Sequence, residues 1–293
     1  MKAPAFNYAR ASSVQEAIDL LSRHGDRAKV LSGGQSLMPA LNLRLLAPEW
    51  LIDIGPIADL RRISVENGLL TIGASTRHAD LQRSPDIAAH APLLKDAIAH
   101  VAHPAIRNRG TIGGSLAHAD PASELPACMV ALDATVIVQG PDGERRIPAA
   151  DFFVGIYETQ LLPDELLVAI EVPKRTDGAR HFFREYARRS GDYAMAGLAA
   201  EAEIDGDMFA SLRLSFFAVD ERPILAKASR HLIGRPVTEV MLAEACGALG
   251  DELAPQDDHQ ATIGMRHYLA RQLLIACVVS LLGRSDLGAR VVA

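Results

Sequence analysis

Ile106-Arg107-Asn108-Arg109-Gly110-Thr111-Ile112-Gly113-Gly114-Ser115-Leu116-Ala117-His118-Ala119-Asp120-Pro121 decides how this chain folds and what it can hold. It belongs to a Gly/Pro/His-rich segment, His103 to Pro121, that follows neither helical nor strand periodicity. A structureless connection of that size inside a compact domain is uncommon, and it is usually functional. A shorter counterpart occurs earlier, Ser32-Gly33-Gly34-Gln35-Ser36, directly after the apolar run Ala28-Lys29-Val30-Leu31. Both place adjacent glycines among small hydroxyl residues. Adjacent glycines let successive N–H groups turn into one concavity, an anion nest. Ser and Thr hydroxyls add donors without bulk. Two such loops facing each other suit a diphosphate; either alone reads first as a tight turn, and the matched pair leaves the two readings even.

Working outward, Ser13 and Glu16 form a capping box ahead of Val14, Ala17, Ile18 and Leu21, and Gly25 closes that helix. Strands are expected at Ala28–Leu31, Trp50–Ile54 and Leu69–Gly73, and a helix over Pro92–Ala102. After the long loop, Ala122–Leu132 reads as a helix, Ala134–Gln139 as a strand turning at Gly140-Pro141-Asp142-Gly143, and Glu165–Val172 as a further strand. Beyond Lys174 two long strands, Ala194–Ile204 and Met208–Val219, join through Asp205-Gly206-Asp207. Helices near Val237–Ala248 and Thr262–Leu282 finish the chain. This order predicts an α+β protein with a domain boundary near residue 176.

The 293 residues are 49% hydrophobic and 23% charged, with a formal net charge of −6, which advertises no nucleic-acid or anionic-membrane surface. Cys128, Cys246 and Cys277 are too dispersed for a thiolate cage and read as core residues of a reduced, cytoplasmic protein. The N-terminus lacks the apolar core of a signal peptide, and the run Leu273–Leu282 is too short to span a bilayer, so no transmembrane segment is expected. No two glycines are separated by a single residue, which removes the dinucleotide fingerprint G-x-G-x-x-G. Walker A, H-E-x-x-H and G-x-S-x-G motifs are absent too. His100 and His103 lack partners for a metal site, and none is assigned.

Asp120 or Ser123 caps the next helix, with Asp120 favoured and Pro121 in its first turn, which leaves His118 and Glu124 for polar contact with a ligand. Tyr193, at the mouth of a strand after Arg188-Arg189-Ser190-Gly191-Asp192, is either a half-buried sheet residue or an aromatic cover for a planar cofactor.

Taken together, Ser32–Leu37, Ile106–Pro121, Asp164-Glu165-Leu166-Leu167 and Arg188–Tyr193 resemble, in order and spacing, the medium FAD-binding subunit of the xanthine dehydrogenase and carbon monoxide dehydrogenase family of molybdenum hydroxylases. The resemblance spans essentially the whole chain. It implies an FAD domain of the vanillyl-alcohol-oxidase (PCMH) type over residues 1–176, in two parts at about 1–56 and 57–176, and a smaller α+β domain over 177–293. By similarity, Ser32, Gly33, Gly34, Gln35, Ser36 and Leu37, with Thr111, Gly113, Gly114 and Ser115, cradle the diphosphate of a non-covalent FAD. Val101, Ala117, His118 and Glu124 lie near the ribityl, ribose or pyrophosphate portions, Leu167 borders the flavin or adenine pocket, and Tyr193 covers the isoalloxazine. Arg184 is a candidate to place positive charge near the reduced ring. No catalytic nucleophile or base is assigned. Ser32 stands where the family often has Ala, and the inserted Cys-rich segment of cluster-carrying members is missing.

The implied activity is electron relay. Substrate is oxidised at molybdopterin in a large subunit, electrons pass through [2Fe–2S] clusters of a small subunit, and FAD here delivers them to an acceptor. A dimer of heterotrimers is the implied assembly. CO, purines, N-heteroaromatics and aldehydes are all compatible substrates. The competing reading is a self-contained flavoenzyme without Mo or Fe–S partners, which the lack of a proton-transfer dyad disfavours.

Overall fold

The computed structural model describes residues 2–288, so the expected domain limits at residues 1 and 293 lie outside the described residues. The chain opens with β1 (Asn7–Arg10), α1 (Val14–His24), β2 (Ala28–Leu31), α2 (Leu37–Asn42) and β3 (Trp50–Asp53). These strands form a parallel sheet in the order β1-β3-β2. Ala17, Ile18 and Leu21 of α1 are buried in one cluster with Ile52 and Ile54. Ser13 Oγ accepts from the Glu16 N–H at 3.1 Å, as the capping box predicts. The return contact shifts by one residue, since the Glu16 carboxylate takes the N–H of Ser12 at 2.8 Å. The first sheet ends at the mouth of the Ser32–Ser36 turn.

Strands β4 (Ile63–Glu66) and β5 (Leu69–Gly73) lead into five short helices. These are α3 (His78–Arg83), α4 (Pro85–His90), α5 (Pro92–Ile98), α6 (Pro104–Arg107) and α7 (Ile112–His118). Then come α8 (Glu124–Ala131), β6 (Thr135–Gly140), β7 (Gly143–Pro148), α9 (Ala149–Phe152), the small hairpin β8 (Phe153–Gly155) and β9 (Glu158–Thr159), and β10 (Leu166–Val172). The second sheet has the order β4-β5-β10-β6-β7, antiparallel throughout, and its β6–β7 turn is the expected Gly140–Gly143. The helices bury Leu81, Leu94, Ile98, Leu116 and Met129 against Ile72, Val138 and Ile170 of this sheet.

The expectation of a structureless His103–Pro121 fails here. Pro104 and Thr111 each start a short helix, α6 and α7, because proline tolerates the first helical position and the threonine hydroxyl caps. Both helices are too short for periodicity to register.

The remaining strands, β11 (Arg180–Ala187), β12 (Ala194–Asp205), β13 (Met208–Phe217) and β14 (Ile224–Leu225), form an antiparallel sheet in sequence order, followed by α10 (Glu239–Glu252) and α11 (Ile263–Leu282). Alternation gives this sheet two apolar faces. Phe182, Leu198, Leu214 and Phe216 join the core containing α10 and α11, whereas Phe183, Ala199 and Phe217 join the core of the preceding helices. Gly197 makes the second packing possible, because a Cβ there would lie 2.0 Å from the Phe217 ring. By length and composition alone α11, at 20 residues, could cross a membrane, but as expected of the run Leu273–Leu282 it is a buried helix. In this fold it packs on β11 and β12, with Leu269, Leu273, Leu274, Cys277 and Val278 buried. Its buried Arg266 binds the Met195 and Ala218 carbonyls and Asp258. The three cysteines are free and buried.

Candidate cofactor site

The two glycine motifs meet. A Cβ on Gly33 would lie 2.4 Å from the Arg109 carbonyl oxygen and 2.8 Å from Gly110 Cα, so the first turn rests backbone-to-backbone on the second motif. At that seam Ser32 Oγ and Thr111 Oγ1 are 2.9 Å apart, and Ser75 Oγ lies 3.4 Å from Ser32 Oγ. Gly34 has φ +71, a conformation that side-chain-bearing residues rarely adopt.

Inside that contact the motifs differ. Among the described residues, none of the N–H groups of Gly33, Gly34, Gln35, Ser36 and Leu37 donates a hydrogen bond. The Gln35 side chain holds the turn by donating to the Gly33 carbonyl at 3.1 Å. A run of free amides beside a hydroxyl cluster is the donor set a diphosphate needs. In the second motif the amides are engaged. Ile112 N–H donates to the Thr76 carbonyl at 3.0 Å, Gly113 N–H to the Ala74 carbonyl at 2.8 Å, and Ser115 N–H to the Thr111 carbonyl at 3.0 Å. Gly114 N–H donates to Thr111 Oγ1 at 3.2 Å as the cap of α7. The second motif is therefore a helix start and not the open nest the sequence suggested. Its glycines serve close packing, since a Cβ on Gly113 would lie 2.6 Å from Ala74 Cβ.

Ala74-Ser75-Thr76-Arg77-His78, between β5 and α3, is the wall that sequence reasoning missed. Ser75, Thr76 and His78 are buried polar residues, and Thr76 Oγ1 is buried without a partner. His78 Nε2 lies 3.1 Å from Ser115 Oγ, and burial lowers its pKa to about 4, so the ring is neutral. The signal available was a run of small hydroxyl residues directly after a strand, the same signal that marked Ser32.

Around the opening, Ala117 is exposed and His118 half-buried on α7. The His118 ring packs against Tyr157 at 4.9 Å, and burial lowers its pKa. Tyr157, at φ +56 in the β8–β9 turn, donates its N–H to the Ala119 carbonyl, and burial with nearby Asp120 pushes its hydroxyl up to about 12. Asp120 accepts from the Ala122 N–H at 2.9 Å, so it closes the turn before α8 and does not cap it; Ser123 holds that position. Glu124 begins α8, and burial of its carboxyl, then neighbouring Glu185, pushes its pKa up to about 8. Tyr193 is 61% exposed and stands open beside this mouth, its hydroxyl pKa raised by burial and by Asp120 and Glu124.

Two of the expected residues lie buried behind the opening, and Arg184 points away from it. Leu167 on β10 is buried in the core, paired with Val138. Val101 is buried too, its carbonyl held by Arg107 at 2.9 Å. Arg184 does not approach the opening: strand alternation sends it toward α11, over the Phe182 ring at 5.4 Å and close enough to Cys277 to oppose the rise of that thiol's pKa.

Residues 4–175 match the family described as the FAD binding domain in molybdopterin dehydrogenase, and residues 181–281 match the CO dehydrogenase flavoprotein C-terminal domain. The chain is 37% identical to the nicotine 6-hydroxylase medium subunit of Paenarthrobacter nicotinovorans, across 95% of this chain and 98% of that one. It is 47% identical over 205 residues to the alpha subunit of the 6-hydroxypseudooxynicotine dehydrogenase complex from the same organism, covering 70% and 69% of the two chains. Among solved structures, carbon monoxide dehydrogenase from Hydrogenophaga pseudoflava superposes with a TM-score of 0.95 at 36% identity, over 97% of this chain and 99% of that one. With both family models filled and the amide-lined seam in place, the chain belongs to the FAD-binding medium subunits of the molybdenum hydroxylases, an oxidoreductase family.

Proposed function

We propose that this chain binds FAD non-covalently and relays electrons from [2Fe–2S] clusters of a small partner subunit to an external acceptor, while a large molybdopterin subunit oxidises the substrate. The run of free amides from Gly33 to Leu37, backed by the second glycine motif, carries this reading. These amides grip the diphosphate, with hydroxyls from Ser32 and Thr111 at the seam and Gly113, Gly114 and Ser115 shaping its floor. Ala117, His118 and Glu124 border the remainder of the cofactor, Val101 and Leu167 support it from the core, and Tyr193 covers the ring face by offset stacking. Bound FAD supplies the one- and two-electron chemistry, and the protein supplies binding, orientation and electrostatics. Neutral His78 holds Ser115 in place without adding charge.

The division near residue 176, the dimer of heterotrimers and a cytoplasmic location belong to the same proposal. The medium-subunit status of the relatives supports a heteromeric assembly. Purifying the native complex through a tag on this chain tests it. Two co-purifying chains, with flavin, molybdenum and iron present, are the expected result. A lone yellow protein that oxidises its own substrate overturns the electron-relay reading.

A further inference from the structure

The Arg188–Tyr193 loop is held in place by residues outside it. Tyr193 is 61% exposed, so the packing of its own ring fixes little of where it stands. At one end of the loop Arg188 donates to the His259 carbonyl at 3.0 Å and to the Gln260 carbonyl at 2.8 Å. The Asp192 N–H closes the turn by donating to the Arg189 carbonyl at 3.1 Å. Between them, Gly191 is seated on the connection from α5 to α6. A Cβ there would lie 3.1 Å from the Ala102 carbonyl oxygen and 3.2 Å from the His103 ring, and its φ of +83 suits glycine.

The seat is itself strained. Ala102 has φ +42, a left-handed conformation that alanine rarely adopts and that persists only where neighbours impose it. Arg107, the last residue of α6, imposes it: its Nη1 donates to the Val101 and Ala102 carbonyls, both at 2.9 Å. The chain leaving α6 serves the other glycine motif, since Gly33 rests on the Arg109 carbonyl. One short segment, residues 102 to 110, therefore touches both the amide turn and the Tyr193 loop.

We propose that Arg107 is a positioning residue for Tyr193: by clamping the Val101–Ala102 turn it fixes the seat of Gly191, and so the place where the Tyr193 ring meets the flavin. This rests on the FAD assignment above, with Tyr193 as the ring cover. Each link is a contact: guanidinium to the Ala102 carbonyl, that carbonyl to Gly191, and Gly191 to Tyr193 through Asp192 alone. Without the guanidinium, Ala102 relaxes toward negative φ, its oxygen leaves Gly191, and the loop loses its support.

Flavin fluorescence decay in the FAD-loaded complex tests the clamp, because a stacked tyrosine quenches the excited flavin by electron donation and a phenylalanine does not. Tyr193→Phe should lengthen the decay several-fold. Arg107→Gln should lengthen it part of the way, and should add nothing in the Tyr193→Phe background, since the clamp acts through that ring. Loss of general stability would instead act equally in both backgrounds. Gly191→Ala, across the same contact in an exposed loop, should show the same coupling to Tyr193→Phe, so the seat is tested even if Arg107→Gln does not fold. Flavin absorbance is read first: empty wild-type protein sinks the FAD assignment. A Tyr193→Phe decay equal to wild type removes Tyr193 from the ring face, and the clamp with it. A Tyr193 effect that Arg107→Gln or Gly191→Ala fails to reproduce in part, or that adds to theirs in full, overturns the clamp alone.

Discussion

The two glycine pairs are spelled almost alike and built differently. Gly33-Gly34 leaves its amides and those after it without acceptors, while Gly113-Gly114 hands every amide to Ala74 or Thr111. The first pair is the ligand surface we propose, and the second is the packing that holds it up. Adjacent glycines therefore announce close backbone approach, and only the hydrogen-bond tally distinguishes approach to a ligand from approach to the chain itself.

The sharpest way to break that contrast is Gly33→Val paired with Gly113→Val. The Gly33 substitution forces a side chain onto the Arg109 carbonyl, and about 3 kcal/mol of overpacking translates to roughly 100-fold or more loss of FAD affinity. The flavin-to-protein absorbance ratio reads it, and full occupancy would refute the seam. Gly113→Val collides with Ala74 and should lose a similar amount of folding stability, seen as a lowered melting midpoint even without FAD.

A comparable effect comes from pH. His78 has its folded pKa near 4, below the unfolded value of 6.5, so its contribution is complete above pH 6.5 and drains away as pH falls toward 4. That window is worth on the order of 3 kcal/mol. Urea unfolding at pH 7 and 4.5 should show the loss, and His78→Gln should flatten it; an unchanged slope would place the effect elsewhere. Glu124 acts oppositely, since its raised pKa costs stability as pH climbs from 4.5 toward 8.

Thr111→Val removes the α7 cap and the partner of Ser32, for about 1 kcal/mol of stability and a several-fold loss of FAD affinity, with Thr111→Ser restoring both. Calorimetric titration with FAD checks the pair of numbers. Smallest in stability is Tyr193→Ala. A ring 61% exposed packs on little, so melting should shift by under about 1 kcal/mol while the flavin spectrum and potential change. An unaltered spectrum would remove Tyr193 from the ring face.

Much of the fold was legible because long elements carry strong periodicity. The twelve-residue β12, its Asp205-Gly206-Asp207 turn and the Thr262-capped α11 stand close to where hydrophobic spacing placed them. α6 and α7, at four and seven residues, fall below what periodicity can register. Ser75, Thr76 and His78 escaped notice for a different reason. Their importance comes from lying against Thr111 and Ser115, a contact far apart in the chain that only the folded sheet creates. Arg184 was misplaced because composition marks a charge and strand parity decides its direction.

That parity has a genetic corollary. Between Arg180 and the bulge at Tyr186 and Ala187, β11 behaves like a reading frame for side chains. Inserting or deleting one residue before Arg184 would exchange it with Glu185, offering a guanidinium to the flavin half and burying a carboxylate against α11. Relatives that change length in this strand should do so in pairs, or move the bulge to compensate.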